Sequence, residues 1–186
     1  GTTPRVETDE PEILSGVYNG YTTGAPMAII FRNRNTRSGD YKLFNDVPRP
    51  GHADYTASVK WLDFNDPRGG GHFSGRITLC LVAAGVVAKK MLPPAVRINA
   101  GLVELAGEKA GEGDWGEALS SAMRDGDSIG GVVECKCMNL PIGLGEPFFD
   151  SVESLISHLA FAIPGIRGIE FGDGFNASRM RGSEHN

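Results

Sequence analysis

The residues predict an α+β fold in which short strands alternate with a few helices in packed layers. Three features carry that expectation. Ile77 to Leu92 is apolar or small on every side, the pattern of a helix enclosed by other elements. Asp150 to Ile163 places Val152, Leu155, Ile156, Leu159 and Ala160 on one helical stripe. Around these lie short apolar or alternating runs, separated by Gly, Pro and Asn, that read as strands.

In chain order, Ile13 to Val17 and Ala28 to Asn33 read as two strands of a hairpin. The segment between them, Asn19 to Pro26, is dense in turn formers. Arg32 to Asp40 is polar and reads as a loop. Asp46 to Asp54 holds Pro48, Pro50 and Gly51, which exclude regular structure. Arg68-Gly-Gly-Gly71 is a second loop, and the apolar helix follows it, with Lys89 and Lys90 in its last turn and Pro93-Pro94 ending it. Ile98 to Leu105 and Gly130 to Asn139 read as strands. Asp114 to Arg124 reads as a helix with an Asp cap and Glu117 placed for a capping box. Asp150 or Ser151 caps the last helix, Pro164-Gly165 stops it, and Ile166 to Phe171 reads as a strand.

The net charge is −5, which argues against nucleic acid or an anionic membrane as partner. Its distribution is uneven. Residues 32–76 hold six Arg and two Lys against five Asp, so this segment is +3 and the remainder −8. A basic segment in an acidic chain suits a small anionic ligand, and it reads equally as an unevenly charged solvated face. No apolar run is long enough to span a bilayer. Three cysteines are too few for a disulfide framework. Cys135 and Cys137 share one face of a strand and read as core thiols in a reducing cytoplasm, with no third ligand to complete a metal site. Gly1 is not a natural start and the tail from Arg181 has no closing element. The chain is therefore expected to be one domain over residues 1–186, incomplete at both ends.

Two arrangements carry candidate chemistry. Arg68-Gly-Gly-Gly-His-Phe-Ser-Gly-Arg76 runs into the N-terminus of the apolar helix. Glycine backbone, a helix dipole and two arginines together suit a phosphate, although a Gly-rich turn feeding a helix has the same look. The ending of a P-loop is absent. Arg49-Pro-Gly-His-Ala-Asp54 is a stiff loop bearing a cation, an imidazole and a carboxylate. His52 is the natural proton donor there, or else an ordinary surface histidine. His158 and His185 read as structural or solvated, and no hydrolase triad order appears.

In succession, these segments resemble the chorismate synthase family. The resembling stretches are Thr2-Thr-Pro-Arg5, Ile13-Leu-Ser-Gly-Val17, Thr22-Thr-Gly24, Ser38-Gly-Asp-Tyr41 and Arg49-Pro-Gly-His-Ala-Asp-Tyr-Thr56. They continue with Arg68-Gly-Gly-Gly71, Ser74-Gly-Arg76, Val82-Ala-Ala-Gly85, Gly126-Asp-Ser-Ile-Gly130, Gly143-Leu-Gly-Glu-Pro147 and Gly168-Ile-Glu-Phe-Gly-Asp-Gly-Phe175. The resemblance implies a β-α-β sandwich, helices packed between two antiparallel sheets, in a cytoplasmic homotetramer. It implies the anti-1,4-elimination of phosphate from 5-enolpyruvylshikimate 3-phosphate with reduced FMN as cofactor. In the family, reduced flavin comes from the cellular pool or from a built-in NADPH-dependent activity.

Carried over by position, the resemblance makes His52 the second active-site histidine, which protonates reduced flavin. Arg49 and Arg76 become ligands of the anionic substrate. It places Ser74, Gly75, Pro164 and Gly165 at the flavin, with Gly75 where the family has Ala. His72 and Phe73 stand at flavin-contacting positions that are Arg and Ser in many members, so one fixed cation is lost. The family's Ser-His-Gly, Asn-His-Ala-Gly-Gly and Arg-His-Asp segments have no counterpart in these residues. The chain ends, Gly1 and Asn186, are accordingly expected beside the cleft of His52 and Ser74. A non-catalytic flavin- or phosphate-binding fragment, or an anion-binding domain of another reaction, are the competing readings.

Overall fold

The structure is a computed structural model that describes residues 8–34, 38–41 and 43–185. Gly1, Asn186 and the Thr2-Thr-Pro-Arg5 motif lie outside the described residues. The chain divides into two compact units, Gly1–Ser74 and Gly75–Asn186.

In the first unit, β1 (Pro11–Ser15) pairs antiparallel with a strand that follows a nested hairpin. That hairpin is β2 (Val17–Tyr18) and β3 (Tyr21–Thr22), joined by Asn19-Gly20 with both residues at positive φ, as a two-residue hairpin turn requires. The partner of β1 is β4 (Ala28–Phe31), with Glu12 opposite Ile30 and a bulge between Ile13 and Ser15. Arg32 closes the ladder on Glu12 at 2.9 Å. After a 3-10 turn at Ser38–Tyr41 come α1 (Leu43–Asp46) and α2 (Asp54–Trp61). Helix α2 was not foreseen from the sequence. It ends on Leu62 and Asp63, both left-handed at φ 50° and 63°, and its one buried residue is Ala57. A 3-10 turn over Arg68–Phe73 completes the unit.

The second unit starts with a 3-10 turn, Gly75–Ile77, that leads into α3 (Thr78–Met91). A three-stranded antiparallel sheet follows, in the order β6-β5-β7: β5 (Arg97–Leu105), β6 (Glu108–Lys109) and β7 (Gly131–Met138). Between β6 and β7 lies α4 (Trp115–Asp125), where Asp114 Oδ1 accepts the backbone N–H groups of Gly116 and Glu117 at 2.9 and 3.1 Å. The capping box is only half formed, because the Glu117 carboxylate pairs with Arg124 at 2.8 Å. The last long helix, α5 (Val152–Ala160), is capped by Ser151, which accepts from the Ser154 N–H at 3.2 Å. A 3-10 turn at Gly174–Arg179 and α6 (Gly182–His185) follow.

The α+β class is as expected, and four local expectations are corrected. Helix α3 is not enclosed within this chain: Val82 is 63% exposed and Val86 51%. Ile166 to Phe171 runs without a ladder partner among the described residues, so it is extended chain and no strand. Cys80, Cys135 and Cys137 are exposed free thiols, not core ones. Glu117 serves Arg124 and not its own cap. A common cause underlies the first three. The chain supplies too few layers to cover its apolar faces, and among the described residues the buried apolar side chains are Ala57, Val96 and Leu105. No helix of the described residues is long and apolar enough to cross a membrane.

Candidate active site

The Arg49–Asp54 segment folds back on itself for reasons written in its residues. Pro50 presets φ and Gly51 takes φ 70°, so Arg49 to His52 forms a type II turn closed by the His52 N–H on the Arg49 carbonyl at 3.3 Å. The turn carries Arg49 back beside His52. Asp54 follows as the first residue of α2, where a carboxylate is favoured by the helix dipole.

These three side chains form one cluster. Asp54 Oδ2 accepts from the Arg49 backbone N–H at 3.0 Å and from Nε at 2.8 Å. Its Oδ1 accepts from Arg49 Nη2 at 2.8 Å and lies 2.7 Å from His52 Nδ1. Arg49 Nη2 is also 3.0 Å from Nδ1 and 3.2 Å from Nε2 of His52. The two ring nitrogens direct their lone pairs apart, so an atom near both sits against the ring face, and this contact is a stack. The other side of Arg49 meets aromatic rings, with Phe44 at 4.3 Å and Tyr41 at 5.9 Å from its guanidinium carbon. Asp54 is the least exposed of the three, at 15%. Its carboxyl is held far below the usual range, chiefly by the Arg49 side-chain bonds and against the effect of burial.

The second motif turns tightly in the same unit. Gly71 stands at φ 58°, and a Cβ there would fall 2.5 Å from the Asp66 carbonyl oxygen, so the backbone approach admits only glycine. Arg68 lies on the Asp66 carboxylate, with Nη2 to Oδ2 at 2.6 Å, and pushes that carboxyl down to about 2. His72 and Phe73 stack at 4.2 Å between centroids, and Trp61 of α2 meets both rings, at 5.0 and 5.6 Å. A cavity of about 460 Å³ joins the two motifs, lined by Arg49 and Asp54 from one and Gly70 and Phe73 from the other. Asp46, Asp63 and Asp66 line it as well, and its lining repels an anion. His52 is not among its walls.

The structure thus brings Arg49, His52, His72 and Phe73 into one unit, with Ser74 at its end. Gly75, Arg76, Pro164 and Gly165 belong to the other unit. A Cβ added at Gly75 or Gly165 would meet nothing within 4 Å. Among the described residues no group of three metal-ligating side chains occurs. Sequence reasoning named Asp54 as the carboxylate of its motif but gave no role to Trp61 or the rings of Tyr41 and Phe44. Asp54 and Trp61 are seven apart on α2, hence on one face, a relation that shows only once the helix is known.

The profile of the chorismate synthase family matches residues 1–186. A chorismate synthase of Chitinophaga pinensis is 59% identical over 186 residues, all of this chain and 55% of that protein. Those of Korarchaeum cryptofilum and Pyrococcus abyssi are 45% and 43% identical, over 98% and 100% of the chain and 57% and 58% of theirs. The chain thus spans a little over half the length of the curated relatives it matches. From the first matched residue to the last, the chain belongs to the chorismate synthase family.

Proposed function

We propose that this protein is, or is part of, an enzyme that forms chorismate by the anti-1,4-elimination of phosphate and a proton from 5-enolpyruvylshikimate 3-phosphate, a carbon–oxygen lyase. The observation that carries the reading is the match along the entire chain to proteins named chorismate synthase. His52 is the proton-carrying group, stacked on Arg49 and bonded to Asp54. Arg76 is assigned to the substrate phosphate and carboxylates, whose paired oxygens a guanidinium fork can meet with two parallel hydrogen bonds. Ser74, Gly75, His72, Phe73, Pro164 and Gly165 are assigned to hold FMN. When bound, reduced FMN supplies the electron density that eases the carbon–oxygen cleavage. The source of its reducing equivalents is the cell's flavin pool or NADPH. The resemblance also made Arg49 a substrate ligand; its Nε and Nη2 already serve Asp54 in this structure.

The β-α-β sandwich, the homotetramer and the cytoplasmic setting belong to the same proposal. Their support is the uncovered apolar surface. Helix α3 is apolar all round yet exposed, and the consecutive Val132 and Val133 expose opposite faces of β7 by 47% and 64%. Helices between two sheets, in an assembly of several copies, would cover both.

The test is anaerobic turnover of the full-length protein with reduced FMN and 5-enolpyruvylshikimate 3-phosphate, followed by chorismate absorbance. His52→Ala should lower turnover by about 10²–10⁴-fold, the usual worth of a general acid, with a much smaller change in substrate affinity. Absence of chorismate with the unmodified protein would refute the reading.

A further inference from the structure

The environment of Asp54 fixes more than the shape of a loop. An ionised carboxylate offers about four acceptor positions and no donor. In Asp54 four donors reach them: the Arg49 backbone N–H, Nε and Nη2, and the Nδ1 edge of His52. Asp54 therefore has no acceptor capacity left with which to take a proton or bind a ligand. Its partner atom on the imidazole has no choice either. Two acceptors cannot face each other at 2.7 Å, so Nδ1 carries hydrogen whether the ring is neutral or charged. The nitrogen that gains and loses a proton is then Nε2. Charge follows the same logic. Arg49 and Asp54 cancel, so the cluster is neutral with neutral His52 and +1 after the ring takes up a proton.

We propose that Asp54 is a positioning residue that holds His52 in the Nδ1–H tautomer with Nε2 as its working nitrogen, and that Arg49 is the clamp for Asp54 instead of a ligand for substrate anion. The catalytic half of this statement rests on the proposed function; the tautomer half does not. A clamp by Arg explains why the residue is arginine. Its fork meets both carboxylate oxygens at 2.8 Å while its faces meet the imidazole and Phe44, which a lysine ammonium cannot do at once. The cluster then presents one exchangeable charge, and that charge resides on the proton to be delivered.

The experiment has two arms. The first reads histidine ¹⁵N shifts by long-range ¹H–¹⁵N correlation at high pH, in the unmodified protein and in Asp54→Asn. The expected unmodified spectrum has Nδ1 protonated and Nε2 bare for His52. In Asp54→Asn the amide can rotate to donate, so the tautomers should mix. A bare Nδ1 in the unmodified protein overturns the proposal, and needs no variant to fold. The second arm is turnover in the full-length protein. Asp54→Asn should lower kcat by about 10²–10⁴-fold with KM within a few-fold, the range for impaired general acid catalysis. Arg49→Lys should likewise lower kcat and leave KM within a few-fold. A large rise in KM with unchanged kcat for Arg49→Lys would return Arg49 to the substrate and overturn the clamp. If the unmodified enzyme makes no chorismate, the function falls, while the tautomer measurement still decides the positioning role.

Discussion

At the scale of single residues, an arginine of each glycine-containing motif meets a carboxylate of its own unit. Arg68, offered to a phosphate by its motif, and Arg49, assigned to an anionic substrate by the resemblance, sit instead on Asp66 and Asp54. Pairing depresses both carboxyls, and the sign of the consequence is definite. Asp54 binds its proton less readily in the folded state than in the unfolded one, whose ordinary value is about 3.9. Its contribution to stability is present above that value and is lost as pH falls through the lower folded one. In a ¹³C carboxyl titration, Asp54 should therefore remain ionised at a pH where ordinary aspartates are half protonated. A midpoint in the ordinary range would mean that the Arg49 clamp does not form in solution. Part of this site was legible: Pro50 and Gly51 marked a stiff loop, which is the tight turn observed. The pairing of Arg49 with Asp54 was not, because a separation of five residues matches no regular period and arises only from a turn running into a helix start.

At the scale of elements, legibility followed how strongly a pattern excluded alternatives. The turn formers of Asn19 to Pro26 marked the pairing of β1 with β4, and the unbroken apolar run at residues 77–92 marked α3. Helix α2 escaped notice because Asp54-Tyr-Thr-Ala-Ser-Val-Lys-Trp61 has no apolar stripe, and β-branched Thr56 and Val59 weaken its propensity. The expected strand at Ile166 to Phe171 failed for the opposite reason: its residues suit a strand, but strand formation needs a neighbour. Helix α4 provides the cleanest measurement. Asp114 takes up two otherwise unpaired N–H groups, so Asp114→Ala should cost about 1 kcal/mol in chemical denaturation. Asp114→Asn, which keeps an acceptor, should cost clearly less. Equal losses would mean that the carboxylate charge near the dipole, and not the cap, is what matters.

At the scale of the whole molecule, α+β class was readable from the alternation of elements, whereas the extent of burial was not. Periodicity records which faces are apolar and is silent on what covers them. Ala57, Val96 and Leu105 make up the buried apolar set among the described residues. That scarcity has a calorimetric consequence. The heat-capacity increment of unfolding comes from apolar surface newly meeting water, about 12–15 cal/mol/K per residue in ordinary domains. These 186 residues, melted by themselves, should give an increment well below that norm and a denaturant slope to match. An ordinary increment would mean that the isolated polypeptide hides its apolar faces in solution. With a small increment the stability curve flattens, so cooling and warming around room temperature would change the folded fraction of the isolated polypeptide only gently.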